Sequence, residues 1–251
     1  MNRHHLFVVV LLTTLVLGCT AEEEPTTPPA PVPGEETDAP KPPPLDRIKV
    51  DVQNKRIEIE GRFCLKEGIL DYLAVTSGGQ EYESVIALNC KGSLLHAGLL
   101  AMSAVAGPTE EVLEYLRKNP PKDGKLPERT GTPLDVTLEW KLGDESFSVP
   151  ASRALFNRAD RQVQNAGHWV FTGSYFAKDL DNETKEFYMA DVDKAIIAVL
   201  YMGSAVINFS HDAGNPYDGE NTGYEVNKNL VPPQGTPVTI VITPAKKQTE
   251  D

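Results

Sequence analysis

Glu83, Ser84 and His96 lie within one short stretch of the chain and have the residue types of a nucleophilic hydrolase site. In such a site a serine attacks the substrate, a histidine takes its proton, and an acid orients the histidine. No Gly-x-Ser-x-Gly elbow surrounds Ser84, and strand alternation places Glu83 and Ser84 on opposite faces. The alternative is that His96, the one histidine of an apolar helix, is a hydrogen-bonded core residue. The triad therefore supports an enzyme only as the second hypothesis.

Metal and cofactor sites have weaker support in the sequence. The candidate nitrogen and oxygen ligands are His96, His168 and His211 with Glu83, Asp191 or Asp212. None of them shows short ligand spacing such as His-x-x-x-His. The two cysteines Cys64 and Cys90 cannot by themselves supply the four thiolates of an iron–sulfur cluster. The sequence therefore predicts neither a metal site nor a cofactor.

Four aromatic residues, Trp140, Trp169, Tyr175 and Tyr188, are spaced as strand residues. Aromatic side chains in alternating patterns pack the core in most proteins, whereas an exposed row of them binds sugar or peptide. Both interpretations remain open at the level of the sequence.

The residues that would position this chemistry form a strand, a turn and a helix over residues 81–107. Residues 83–88 have the composition of a buried strand, and residues 94–105 predict an apolar helix that Gly107 and Pro108 end. Ser93 is expected to cap this helix, since its hydroxyl can accept from an unpaired N–H group. This unit is the strongest folding signal of the sequence.

Other segments alternate apolar and polar residues with the period of two that is typical of half-buried strands. They are residues 48–52, 56–61, 70–76, 134–140, 146–149, 169–176, 186–191 and 237–243. Residues 195–209 are continuously apolar and predict a buried strand that bends at Gly203. A second, charged helix is expected over residues 110–118. About ten strands and one or two helices predict a β-rich α+β domain of antiparallel or mixed sheets.

The first 45 residues predict a route out of the cytoplasm. Residues 1–18 have the basic start and short apolar run of a signal peptide. Residues 16–19, Val-Leu-Gly-Cys, resemble the lipobox of bacterial lipoproteins, which implies that Cys19 carries the lipid. Residues 19–45 are rich in proline and acid and are expected to be a disordered linker. Residues 46–251 then form the globular domain.

The net charge limits the classes of binding partner, and the cysteine content limits the possible disulfides. A formal net charge of −12 argues against nucleic acid, whose binding needs clustered Lys and Arg. Of three cysteines, lipidation would use one and leave Cys64 and Cys90. In an oxidising compartment these two form either a disulfide or two separate buried thiols.

Several motifs in order resemble the YdjY domain of bacterial secreted and lipid-anchored proteins. They are KRIEIEGRFCLKEGILDYLAV, EYESVIAL followed by SLLHAGLLA, Glu139-Trp140, WVFTGS, Tyr188-Met-Ala-Asp191 and VPPQGTPVTIVI. The resemblance covers residues 48–243 and implies an extracytoplasmic domain without an established activity. Relatives often carry a histidine between two acids where this chain has Tyr82, which argues against a mechanism that needs a histidine there.

These observations lead to two hypotheses. The first is a non-enzymatic lipoprotein of the bacterial cell envelope, periplasmic or surface-exposed, tied to the membrane by its lipid. Its β-rich domain would have a structural role or bind a protein or small-molecule ligand. The second is an envelope hydrolase that uses Ser84, His96 and Glu83.

Overall fold

The computed structural model describes residues 44–107, 114, 118, 129–165, 167–179, 181, 182, 184–219 and 221–245, all within one compact unit. Its strands are β1 Ile48–Asp51, β2 Arg56–Phe63, β3 Ile69–Leu70, β4 Tyr72–Thr76, β5 Ser84–Leu88, β6 Pro133–Leu142, β7 Glu145–Pro150, β8 Leu155–Asn157, β9 Gln162–Val163, β10 Trp169–Phe171, β11 Phe176–Lys178, β12 Glu186–Tyr188, β13 Ala195–Ala198, β14 Ile207–Phe209, β15 Tyr224–Val226 and β16 Pro237–Pro244. The α-helices whose bounds the structure describes are α1 Gly92–Ala101 and α2 Met189–Val192, and short 3₁₀ turns lie at Glu81–Glu83 and Ala151–Ala154.

The main sheet closes on itself. Its strand order is β2, β16, β6, β10, β14, β13, β4 and β5, and β5 pairs again with β2. The β13–β14 and β4–β5 pairs are parallel and the other pairs of this ring are antiparallel. Closure removes the open edges that an eight-stranded sheet would otherwise expose. The predicted β-rich α+β class with mixed sheets is confirmed.

Closure depends on the length of β2. Its first half, Arg56 to Ile59, pairs with β1, while Gly61 to Phe63 pairs with β5 along the same edge. The other edge of β2 pairs with β16 from Arg62 back to Ile57. One long strand therefore joins the hairpin that the sequence predicts to the buried parallel pair β4–β5.

Burial follows the alternation in only part of the ring. Strands β2 and β6 and the first half of β16 alternate between a buried face and a polar outer face, whereas every residue of β4, β5 and β13 is buried. In the first group, the alternation of apolar and polar residues in the sequence therefore predicts which side chains are buried. In the second group both faces are covered, as is usual where a strand pairs in parallel.

Helix α1 packs against this ring through Leu95 and Leu99, which are fully buried. Its close approach to the hairpin depends on Gly98, where an added Cβ would lie 3.0 Å from Val50 Cγ2 and 3.2 Å from Ile57 Cδ1. The helix covers residues 92–101 rather than 94–105, because Ser103 adopts a positive φ of 65°. The fold thus fixes the position of His96 on the middle turn.

The predicted cap at Ser93 is wrong. The N-cap residue is Lys91, which makes no side-chain capping bond. Asp191 of α2 takes that role instead: it accepts from Ser93 N at 2.9 Å and from Ser93 Oγ at 2.6 Å. A carboxylate distant in sequence thereby serves the positive end of the helix dipole.

The apolar run 195–209 forms two strands rather than one. β13 and β14 lie side by side in parallel, with Ile197 opposite Ile207 and a connection through residues 199–206. A parallel pair needs such a crossover, which a continuous strand bent at Gly203 does not provide.

Two smaller sheets complete the unit: β11–β12, and β3–β15–β8–β9.

Several expectations concern residues outside the described ranges. The signal peptide, Cys19 and the linker up to residue 43 are among them, and of the predicted helix 110–118 only Glu114 and Lys118 are described, both helical. Among the residues that the structure describes, no helix combines the length and the apolar character needed to cross a membrane.

Candidate functional site

Ser84 is the first residue of β5, where it lies opposite Tyr72 in the parallel ladder. Its side chain is fully buried, and among the residues that the structure describes its hydroxyl has no hydrogen-bond partner. A serine nucleophile needs a base in contact and an approach for substrate. The described surroundings of Ser84 supply neither.

His96 has a different set of partners. Its Nδ1 lies 2.9 Å from the carbonyl oxygen of Gly173 and 2.7 Å from the hydroxyl of Tyr188. The rings of Phe171 and Tyr188 stand edge-on to the imidazole, with centroids 5.0 and 5.5 Å away. Burial lowers the pKa of His96, so the neutral imidazole is favoured. These contacts fit a histidine that ties α1 to β12, and the structure shows no bond from it to Ser84.

Glu83 belongs to an acidic pair rather than to a triad. Its carboxylate accepts a 2.9 Å hydrogen bond from the hydroxyl of Tyr217 and shares a hydrogen bond with Asp71. Burial, followed by the charge of Glu83 and this hydrogen bond, raises the pKa of Asp71 to about 6. The sequence did not single out Asp71, although an acid at the start of the apolar strand LDYLAV was a usable signal.

The two cysteines of the domain are free and buried. Cys64 Sγ lies 3.1 Å from the carbonyl oxygen of Ser84, and Cys90 Sγ lies 3.2 Å from that of Lys91. Burial raises the pKa of each thiol to about 12, so neither is a ready thiolate. The disulfide that the sequence left open is absent from this structure, since each thiol contacts a separate carbonyl, and the alternative of two buried thiols is found.

The aromatic residues do not form an exposed row. Trp140 and Trp169 are 6% and 2% exposed, and Tyr175 and Tyr188 are half-buried. Trp140 stacks on Phe147 with ring centroids 4.8 Å apart and planes 5° apart. The core interpretation of these aromatics is therefore supported.

A groove of about 980 Å³ lies over strands β2, β16, β6 and β7. Its polar lining on the outer face of these strands is Glu60, Arg62, Glu139, Lys141, Ser146, Ser148 and Thr239, and Asn89, directly after β5, adds a further polar side chain. This volume is in the range of known ligand clefts. Because the groove is built on paired strands, its side chains are held at fixed spacing.

Strand register arranges these side chains in two rows of opposite charge. The acidic row is Glu60, Thr239, Glu139 and Ser148, each opposite the next across β2, β16, β6 and β7. The basic row is Arg62, Pro237, Lys141 and Ser146, in which Arg62 lies opposite Pro237 and Lys141 lies opposite Ser146. Members of the two rows are two residues apart on a strand, or about 7 Å. Across four strands each row is about 14 Å long.

Neighbouring ion pairs orient the two rows. Arg62 Nη2 contacts both carboxylate oxygens of Glu81 at 2.8 and 3.0 Å. Arg56 Nη2 lies 3.6 Å from Glu139, and Arg47 lies 3.7 Å from Glu60. In the described part of the chain Lys141 makes no ion pair within 4 Å, so its ammonium group is available to a ligand.

Periodicity in the sequence predicted the strands of this groove but not the groove itself. The patterns EIEGR and LEWKL each place an acid and a base two residues apart, on the solvent face of a strand. This spacing is the sequence signal that could have indicated the groove. In the described residues no group of three or more His, Cys, Asp and Glu side chains is placed to hold a metal ion. The chemistry that the groove supports is charge and hydrogen-bond recognition.

Comparison with known proteins identifies the domain. The family model of the YdjY domain matches residues 48–243, which include every strand from β1 through most of β16. No curated protein and no solved structure matches the chain. Because the matched segment exceeds half of the 251 residues, the chain belongs to the YdjY domain family.

Proposed function

We propose that this chain is a lipid-anchored protein of the bacterial envelope whose YdjY domain binds a ligand and catalyses no reaction. The observation that carries the proposal is the groove over β2, β16, β6 and β7, with its two rows of opposite charge. Such an arrangement supports selection of a ligand by complementary charge. Lys141 makes no ion pair among the described residues, and Glu60 and Glu139 face their arginine partners at 3.7 and 3.6 Å, so a ligand would compete with those partners for the two acids. The ligand class is an extended peptide that carries both signs of charge.

The spacing of the rows specifies the peptide further. In an extended chain, side chains two residues apart point to the same face and lie about 7 Å apart. A Lys-x-Asp segment lying along β16 would place its ammonium over the acidic row and its carboxylate over the basic row. The hydroxyl of Thr239, between the acids Glu60 and Glu139, would contribute a further hydrogen bond.

A charge swap within the groove tests this function. The probe is the capped pentapeptide Thr-Lys-Thr-Asp-Thr, titrated calorimetrically into the protein. Glu139→Lys combined with Lys141→Glu keeps the net charge but puts both signs in each row. We expect the swap to weaken binding at least tenfold, which corresponds to about 1.4 kcal/mol.

Two controls make the result specific. Lys178→Glu with Glu186→Lys is a matched swap on the exposed β11–β12 pair, where these residues lie opposite each other outside the groove, and it should leave affinity unchanged. The peptide Thr-Lys-Asp-Thr-Thr has the same composition but presents its charges on opposite faces, and it should bind more weakly. Equal affinity of both peptides, or wild-type affinity after the groove swap, would contradict the proposal.

Anchoring at Cys19 is supported by the lipobox-like junction and by the proline-rich, acidic segment that follows it. An extended linker of this composition spans about 3.1 Å per residue and would hold the domain away from the bilayer. In cells fed labelled palmitate, the wild-type protein should incorporate label and Cys19→Ala should not. Cys64→Ala, the matched loss of a thiol within the domain, should remain labelled. Label retained by Cys19→Ala would exclude this anchor.

A further inference from the structure

Strand β7 has one free edge. Of the described strands longer than five residues, β2, β6 and β16 pair with other strands on both sides, whereas β7 pairs only with β6. Its register with β6 runs without a bulge from Leu142–Glu145 to Thr137–Pro150, and the interior of the strand holds neither Lys nor Pro. Native proteins protect a free edge with such residues or bulges, or cover it. The edge of β7 is therefore well suited to pairing with another strand.

The hairpin geometry decides which backbone groups point outward. The two-residue loop between β6 and β7 starts at Gly143, which has a positive φ of 60°, as a type II′ turn requires. In such a hairpin the flanking pair, Leu142 and Glu145, exchanges two hydrogen bonds, and bonded pairs then alternate along the strands. The residues of β7 that bond to β6 are therefore Glu145, Phe147 and Val149. Ser146 and Ser148 direct their N–H and C=O groups to the free edge.

The side chains of this hairpin are incompletely covered. Ser146 and Ser148 are exposed, and Phe147 and Val149 are only half-buried although they pack against the core. Leu142, on the same face as Phe147, is 47% exposed. A strand added at the edge would place every second side chain on this apolar face. The edge thus offers a partner both backbone hydrogen bonds and apolar surface.

A second copy of the strand fits this edge. In an antiparallel pair centred on Phe147, Ser146 lies opposite the partner's Ser148, and the two residues exchange both hydrogen bonds. The two Phe147 residues then face each other at the two-fold axis with Cα atoms about 4.5 Å apart, where aromatic side chains pack against each other. The strand is therefore self-complementary, as an interface with two-fold symmetry requires.

The charges at the two ends of β7 are complementary as well. Asp144 and Glu145 are at its start, and Arg153 lies in the 3₁₀ turn that follows its end. All three side chains are exposed, and none forms an ion pair with another described residue. Antiparallel pairing centred on Phe147 places Asp144 opposite the partner's Pro150, three residues before the partner's Arg153. This match of opposite charges favours a second copy as the occupant of the edge.

We infer that two copies of this chain associate through their β7 strands, which join the two sheets into one across a two-fold axis. The interface adjoins the groove, because Ser146 and Ser148 end its two rows. The basic row of one copy, which ends at Ser146, continues into the acidic row of the other, which ends at the partner's Ser148. Association does not depend on the ligand proposed for the groove.

Sedimentation equilibrium of the full chain carrying Cys19→Ala, which removes the proposed lipid, tests this association. We expect a monomer–dimer equilibrium with a Kd of about 100 μM or tighter. Ser148→Pro should weaken it at least tenfold, because proline removes an N–H group that only the dimer uses. Ser148→Thr keeps that group and should leave the Kd unchanged.

Disulfide cross-linking tests the register and maintains the test if Ser148→Pro does not fold. Ser146→Cys and Ser148→Cys are prepared separately, since these exposed positions lie opposite each other only between copies. Their Cα atoms would be about 5.5 Å apart, within reach of a disulfide, whereas two copies of either residue would be about 8 to 9 Å apart. We expect a covalent dimer from an equal mixture of the two variants and little from either alone. The native Cys64 and Cys90 are buried and provide the uncross-linked background.

Three results would overturn the inference. The first is a chain that stays monomeric at about ten times the expected Kd. The second is a dimer that Ser148→Pro leaves unchanged, or whose single cysteine variants cross-link as well as the mixture. The third is a monomer whose Ser146 and Ser148 amide signals shift when the capped peptide Ser-Phe-Ser-Val is added, which would assign the edge to the strand of another protein.

Discussion

Gly61→Ala is expected to lower the free energy of unfolding by about 2 kcal/mol, which is typical of a substitution that overpacks a core position. Gly61 lies in β2 opposite Leu88 of β5, at the pair that closes the ring. A Cβ there would lie 2.5 Å from the carbonyl oxygen of Ala87 and 2.9 Å from Leu88 Cδ2. Because a backbone atom blocks the space, relief requires movement of β5. Chemical denaturation provides the measurement.

Gly219→Ala is the matched control, because the nearest atom to an added Cβ there is Thr222 Oγ1 at 3.8 Å. That variant should stay within about 0.5 kcal/mol of the wild type, as is usual for surface substitutions. If the Gly61 and Gly219 variants were equally stable, β2 and β5 would not be in contact at this register and the ring would be open.

Asp71→Asn is expected to abolish a loss of stability between pH 4 and pH 7. The ordinary pKa of an aspartate is 3.8, and in the folded protein burial and Glu83 raise the pKa of Asp71 to about 6. The folded state therefore binds more protons than the unfolded state between these values, and the free energy of unfolding falls as pH rises through this window. The protonated carboxyl of Asp71 therefore adds to the free energy of unfolding fully below pH 4, and this stabilisation is lost above pH 6. It amounts to at most about 3 kcal/mol.

The measurement is the free energy of unfolding from denaturant titrations at pH 4, 5, 6 and 7. Asn keeps the size of Asp71 and cannot ionise, so the variant should be more stable than the wild type at pH 7 and should lack this fall. Asp144→Asn removes an equal charge from the exposed β6–β7 turn and should preserve the wild-type profile. A fall that persists unchanged in Asp71→Asn would show that another group causes it.

Much of the fold could be predicted because it depends on local pattern. Strands β2 and β6 alternate in sequence as they do in burial, and α1 follows from a single apolar run. Ring closure could not be predicted, since the pairing of Gly61 with Leu88 joins strands whose register no local signal sets. The prediction of one strand over residues 195–209 was wrong for a related reason. Fully buried strands show no alternation, so the sequence does not reveal the break between β13 and β14.

Candidate site residues were harder to predict than strands. Glu83, Ser84 and His96 are close in sequence, but the structure shows no hydrogen bond between their side chains. Glu83 accepts a hydrogen bond from Tyr217, and His96 contacts Tyr188. The Ser84 hydroxyl has no hydrogen-bond partner among the described residues. Proximity along the chain does not control where side chains point. The groove rows combine residues from distant strands, so only tertiary structure brings them together.

Amide chemical-shift mapping with the pentapeptide Thr-Lys-Thr-Asp-Thr tests the central claim most directly. The account predicts saturable shifts concentrated at Glu60, Glu139, Lys141 and Thr239, all of which line the groove, and their loss in the β6 charge swap. Saturable shifts centred instead on His96 and Tyr188, with the groove amides unchanged, would contradict it.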